Sequence, residues 1–186
     1  MCAMNFHTIS LSLHRKQKRT AMNIVNCAEI LAKEIHKGQK DIAGADFYEG
    51  HLYPIASLCY EKYTKVVALL HDVSEETQKT AKEIIALLDK VFVEKHSEHL
   101  TEKEVEILVS ALDLFDKRNY NSREEYLEGF LKDRSASTLF VKMTELKHLA
   151  DSIQSSDPTP EEEVMKERYL SEYYKLFGWY NDPSLW

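Results

Sequence analysis

The apolar run Val66-Val67-Ala68-Leu69-Leu70 stops at His71-Asp72, with Glu75 and Glu76 one helical turn further on. A run this short cannot cross a membrane, and between polar stretches it reads as the buried side of a helix. Burial holds the backbone still, so polar groups at the end of such a run are confined to a small volume. A divalent metal site needs that rigidity, because imidazole nitrogen and carboxylate oxygen must be placed to within a few tenths of an ångström.

What can enclose the run follows from what the chain lacks. Its 186 residues hold only 5 Gly and 4 Pro, which favours helices over a turn-rich β architecture. The length suits one domain with a substantial core. In residues 22–38, Ile24, Val25, Ala28, Leu31, Ala32 and Ile35 recur at helical spacing before Gly38. Residues 39–49 lack a period and read as a loop that delivers His51 to the start of a second helix, with Pro54 in its first turn. A third helix carries Val66 to His71, and Ser74 with Glu75 and Glu76 reads as the start of a fourth that continues beyond Leu88. His96 and His99 fall in a polar loop, and Thr101 with Glu104 has the spacing of a capping box. Ser122 with Glu125 starts a sixth helix, residues 135–153 form a seventh, and a Tyr- and Leu-rich helix at 161–177 ends the chain. The expectation is all-α: a single-domain bundle of about seven to eight helices. Residues 1–21 are a flexible extension, 22–154 the domain, and 155–186 a linker and a C-terminal helix that packs on it.

A net charge of −7 makes nucleic acid a poor partner, although a metal and a few lysines can reverse the sign locally for a small anion. Cys2, Cys27 and Cys59 show no C-x-x-C spacing, which suits reduced thiols and a cytoplasmic location. The basic cluster His14, Arg15, Lys16, Lys18 and Arg19 lacks the apolar core of a signal peptide, and no run is long enough for a membrane span.

His51, His71 and Asp72 sit at the ends of consecutive expected helices, where a bundle brings them together. Glu145 is the best fourth ligand, since it interrupts the apolar face of Leu139, Val141 and Met143. Two His and two carboxylates suit Mn, Fe or Zn. Glu75 or Glu76, one turn past the ligand pair, is in reach of water as a general base. Each feature also has a plainer reading. A His-Asp pair is often structural, Glu75-Glu76 suits any helix start, Lys142 can be a surface lysine, and Glu145 can face solvent.

Several blocks together resemble the small stand-alone HD-domain phosphohydrolases of the RelA/SpoT type. They are Ala32-Lys33-Glu34-Ile35-His36-Lys37-Gly38-Gln39, Tyr48-Glu49-Gly50-His51, Ala68 to Thr77, Tyr126-Leu127-Glu128 and Val141 to His148, in the family's order. The resemblance implies an HD-type bundle binding a divalent metal, usually manganese, through His51, His71, Asp72 and Glu145. It implies that Glu75 and Glu76 handle the attacking water, and that Lys142 lies near the substrate phosphates, with Lys40 and His148 as further substrate contacts. The reaction implied is removal of the 3′-pyrophosphate of ppGpp. The chain departs from the family pattern at Glu145 and Glu76, each normally Asp, and at Leu149, normally Asn. Asp41-Ile42 replaces an Arg-Lys pair. Three functions are therefore expected in competition. They are a metal-dependent phosphohydrolase acting on a nucleotide phosphoester, a nucleotide-binding module that has lost catalysis, and a helical interaction protein whose tail (Tyr169, Tyr173, Tyr174, Trp179, Tyr180) pairs with a second copy as a homodimer.

Overall fold

The computed structural model describes residues 23–133, 135–153 and 158–182. The expected extension at 1–21, with its basic cluster and Cys2, and the linker residues 155–157 lie outside the described residues. The chain runs through α1 (Ile24–Ile35), a π-helical turn (Tyr48–Leu52) continuous with α2 (Tyr53–Ser57), α3 (Lys62–Leu70), α4 (Val73–Thr77), α5 (Ala81–His96) and α6 (Glu102–Asp113). A 3-10 turn (Lys117–Asn119) leads to α7 (Arg123–Asp133), α8 (Ala136–Ser152) and α9 (Pro160–Tyr180). It is an all-α bundle; among the described residues the only β pairing is an isolated antiparallel bridge between Lys40 and Asp46.

Side-chain caps set most helix starts. Asn23 and Asn26 bond reciprocally at α1, as do Thr80 and Glu83 at α5, Thr101 and Glu104 at α6, and Thr159 and Glu162 at α9. Each box satisfies two N–H groups that a helix start leaves without partners; losing the cap side chain costs about 0.5–2 kcal/mol.

The run from Val66 to Leu70 is buried throughout and makes α3 the hub, in contact with α1, α2, α6 and α8. Burying each Val or Leu there contributes about 1.5–3 kcal/mol. Because the end of α3 is pinned from several sides, the backbone at His71 has little freedom to move. The long α9 lies along α8, seats Leu176 in the core, and is tied to α7 by a two-point Arg123–Glu172 ion pair.

The structure differs from the sequence expectations in three places. The expected fourth helix is two, because Gln78 takes a left-handed conformation (φ 57°) and α5 starts afresh at its own cap, Thr80. Ser74 is therefore not a helix start but a buried residue inside α4, with Asp72 at the cap position. His51 does not open the second helix; it lies inside the π-helical turn, whose wider register redirects its side chain. His96 is not in a loop but ends α5, its ring stacked on Phe92 at 4.3 Å.

Candidate metal centre

His71 terminates α3 as its C-cap and is almost fully buried. Its Nδ1 lies 2.8 Å from the carbonyl oxygen of Ala68. A carbonyl only accepts, so Nδ1 carries the proton and Nε2 presents a lone pair. That Nε2 has no hydrogen-bond partner, yet it stands 3.2 Å from Asp72 Oδ2 and 3.8 Å from Glu145 Oε2. A nitrogen lone pair facing carboxylate oxygens in a buried site is repulsive unless a cation, either a proton or a metal ion, lies between them.

His51, delivered by the π-helical turn, completes the cluster with its Nε2 3.1 Å from the same Asp72 oxygen. The donor atoms of His51, His71 and Asp72 all lie within 4.8 Å of one another, and this group can hold a metal ion. Two donors each about 2.1 Å from one ion stand roughly 3.0–3.4 Å apart, so the observed 3.1 and 3.2 Å separations need little adjustment.

The electrostatics suit a cation as well. Burial would pull the His51 imidazole down, but the Asp72 carboxylate, backed by Glu145 and Asp41, outweighs it and raises the proton affinity above the usual value. Burial would likewise raise Asp72, yet the imidazoles of His71 and His51 and the ammonium of Lys142 hold it far below the usual carboxylate range. The centre is a buried anion that draws positive charge towards it.

Glu145 does not face solvent, and Lys142 is not a surface lysine. Both are buried on α8, and the Lys142 ammonium sits 2.8 and 2.9 Å from the two Glu145 oxygens and over the Tyr126 ring at 4.8 Å. Lys142, with His71 behind it, overcomes the burial of Glu145 and keeps that carboxyl ionised below its usual value. Glu145 therefore flanks the three-residue group with its charge already balanced.

Glu75 and Glu76 project from α4 into a cleft of about 270 Å³ that also exposes Asp72, His51 and Glu145. Glu75 is ion-paired with Lys117, whereas Glu76 pairs with no cation among the described residues. Arg118 holds this part of the wall together. Its guanidinium grips Asp116 at 2.8 and 2.7 Å and donates to the carbonyls of Gln78 (2.7 Å) and Lys79 (2.9 Å) just past the end of α4.

Lys40, Lys142 and His148, expected as substrate contacts, are not brought to the cleft wall. Lys40 is exposed on the loop, Lys142 is held by Glu145, and His148 donates from Nε2 to the Gly50 carbonyl at 2.8 Å, its ring 5.3 Å from His51. Burial and the neighbouring His51 both lower the proton affinity of His148 below the usual imidazole value. Its position supports the turn that carries His51.

Three cleft residues besides Gln39 had no role assigned from sequence. His36 is 2% exposed and stacks on Phe47 at 4.7 Å; its Nδ1 meets Gln39 Oε1 at 2.8 Å, and its Nε2 has no partner. Lys117 and Phe47 are the others. His36 stood only at the end of an amphipathic pattern, and its inward turn depends on the loop at 39–46 folding back over it.

Comparison with protein-family models finds no match, and comparison with curated proteins finds none either.

Proposed function

We propose that the protein is a metal-dependent phosphohydrolase acting on a nucleotide phosphoester. The observation that carries this reading is the convergence of His51 and His71 nitrogens on one Asp72 oxygen, with the His71 lone pair fixed by Ala68 and otherwise unsatisfied. The resemblance to HD-domain phosphohydrolases points the same way; it implies manganese as the ion and, within the family, ppGpp as the substrate. When bound, such an ion supplies positive charge that acidifies water and offsets charge on a phosphoryl oxygen.

The chain's own groups supply the rest. Ala68 orients His71 and keeps its proton on Nδ1, and Asp72 balances the two imidazoles. Glu76, with no cationic partner among the described residues, accepts the proton of the attacking water, while Lys117 orients Glu75 beside it. Phe47, Ile42 and Leu149 give the cleft an apolar side that limits water.

Elemental analysis of the purified protein, with a turnover screen over ppGpp, nucleoside phosphates and simple phosphomonoesters, tests this reading. About one metal ion per chain and turnover lost together with the metal in His71→Ala or Asp72→Ala are expected. Intact turnover in either variant removes the proposal.

One observation favours a second reading, a nucleotide-binding module: Lys117 neutralises Glu75 and Lys142 neutralises Glu145. Stoichiometric metal with no turnover on any member of the screen selects it.

A further inference from the structure

The cleft beside the metal centre is small and acidic, and those two properties limit what it can accept. At about 270 Å³ it falls just below the roughly 300–1,000 Å³ of ordinary ligand pockets. Asp41, Asp72, Glu75, Glu76 and Glu145 all reach its wall; Lys117 pairs with Glu75 and Lys142 with Glu145, which leaves Asp41, Asp72 and Glu76. A divalent ion compensates two of these charges and leaves the pocket negative. A phosphate carrying two charges can be met by the ion, but a substrate with a second, distant diphosphate has no cation to receive it.

The loop at 41–45 reinforces the restriction. Asp41 Oδ1 accepts from the N–H groups of Ala43 (3.0 Å) and Ala45 (2.7 Å), so this acid is built into the loop and cannot swing away. Ile42, 47% exposed, presents an alkyl group beside it. The cleft wall also holds the Phe47 ring, stacked on the buried His36.

We infer that the substrate is a nucleoside monophosphate or a phosphomonoester of similar size, with one doubly charged phosphate at the metal centre and its remaining part against the apolar side formed by Ile42 and Phe47. This rests on the phosphohydrolase reading and narrows it away from polyphosphorylated nucleotides. In the step implied, water adds to phosphorus and gives a proton to Glu76. The ester P–O bond breaks, and the leaving oxygen takes up the proton that Glu76 received, relayed through water, to give the free alcohol and inorganic phosphate with Glu76 again ionised.

The test uses the full chain loaded with Mn²⁺. The values of kcat/KM are compared for purine and pyrimidine nucleoside monophosphates and for ppGpp, with calorimetric binding of the same compounds in parallel. At least a tenfold preference for a monophosphate is expected. Ile42→Lys, a surface change that leaves the core alone, should narrow that preference severalfold by lowering KM for ppGpp. Preferred turnover of ppGpp overturns the inference and leaves the phosphohydrolase reading standing. Absence of all turnover with metal bound defeats the phosphohydrolase reading. Binding then decides the inference alone: tighter monophosphate supports the cleft assignment, and tighter ppGpp overturns it.

Discussion

His71 joins the core to the site, because one ring nitrogen satisfies the Ala68 carbonyl and the other faces Asp72 and Glu145. His71→Ala should therefore abolish metal uptake and also destabilise the fold by about 1–3 kcal/mol, since a buried carbonyl loses its partner; denaturant unfolding of the metal-free protein measures the second effect. Glu76→Gln separates the roles differently. Metal content should hold while kcat falls by about 10²–10⁴-fold, the usual contribution of a positioned general base. Proton competition follows from His51, whose proton affinity is raised by Asp72 despite burial. In the ion-free protein its stabilising contribution is full below about pH 6.5 and fades as pH rises through the elevated folded value. Added metal takes the proton's place, so uptake should strengthen from pH 6 to pH 8. Direct titration with Mn²⁺ at each pH reads it. Gly50 is constrained as tightly: a methyl there would stand 2.0 Å from Asp41 Oδ2 and 2.9 Å from Ala45 Cβ, so the loop would have to move off the turn that carries His51. At this scale residue identity was legible. His51, His71, Asp72 and Glu145 stand out as donors in an apolar pattern, but the partner of Lys142 was not, because an isolated lysine carries no sign of whether its ammonium reaches water or a buried acid.

Among the elements, α6 shows how a local signal acquires a long-range role. Glu104 closes the capping box with Thr101 and also accepts from Tyr63 Oη (3.0 Å) and Lys62 Nζ (3.3 Å) on α3. Burial works against it, yet the Thr101 bonds with those from Tyr63 and Lys62 bring the carboxyl down to about 2. Its stabilisation is present above the unfolded value near 4.3 and is lost as pH falls through about 2; after allowance for solvent screening it is worth about 1–2 kcal/mol. Glu104→Gln should lose that amount at pH 7 and show a flatter acid limb in thermal unfolding. The capping box was visible as Thr101-Glu104, whereas the tie to α3 depends on packing between helices some forty residues apart. The break between α4 and α5 was hidden for a similar reason. Nothing near Gln78 announces a left-handed residue, and the carbonyls of Gln78 and Lys79 are satisfied by Arg118 from a distant turn.

For the molecule as a whole, α9 closes the bundle over α8 with Leu176 in the core, while Tyr174 and Trp179 remain exposed. Leu176→Ala should cost about 2–5 kcal/mol by leaving a cavity at that contact, measured as a shift in the denaturant midpoint. Tyr169, Tyr173 and Tyr180, expected to meet a second copy, pack partly against the chain's own core. The sequence by itself determined that this chain is helical, where several helices begin, and that imidazoles and carboxylates interrupt its apolar pattern at His51, His71, Asp72 and Glu145. These follow from scarce breakers, local caps and the periodicity of apolar residues, all of which act over a few positions. Only the tertiary structure decided that His51 and His71 share one Asp72 oxygen, that Lys142 balances Glu145, and that the cleft is small and acidic. Those are distances between atoms far apart in the chain, and packing alone sets them.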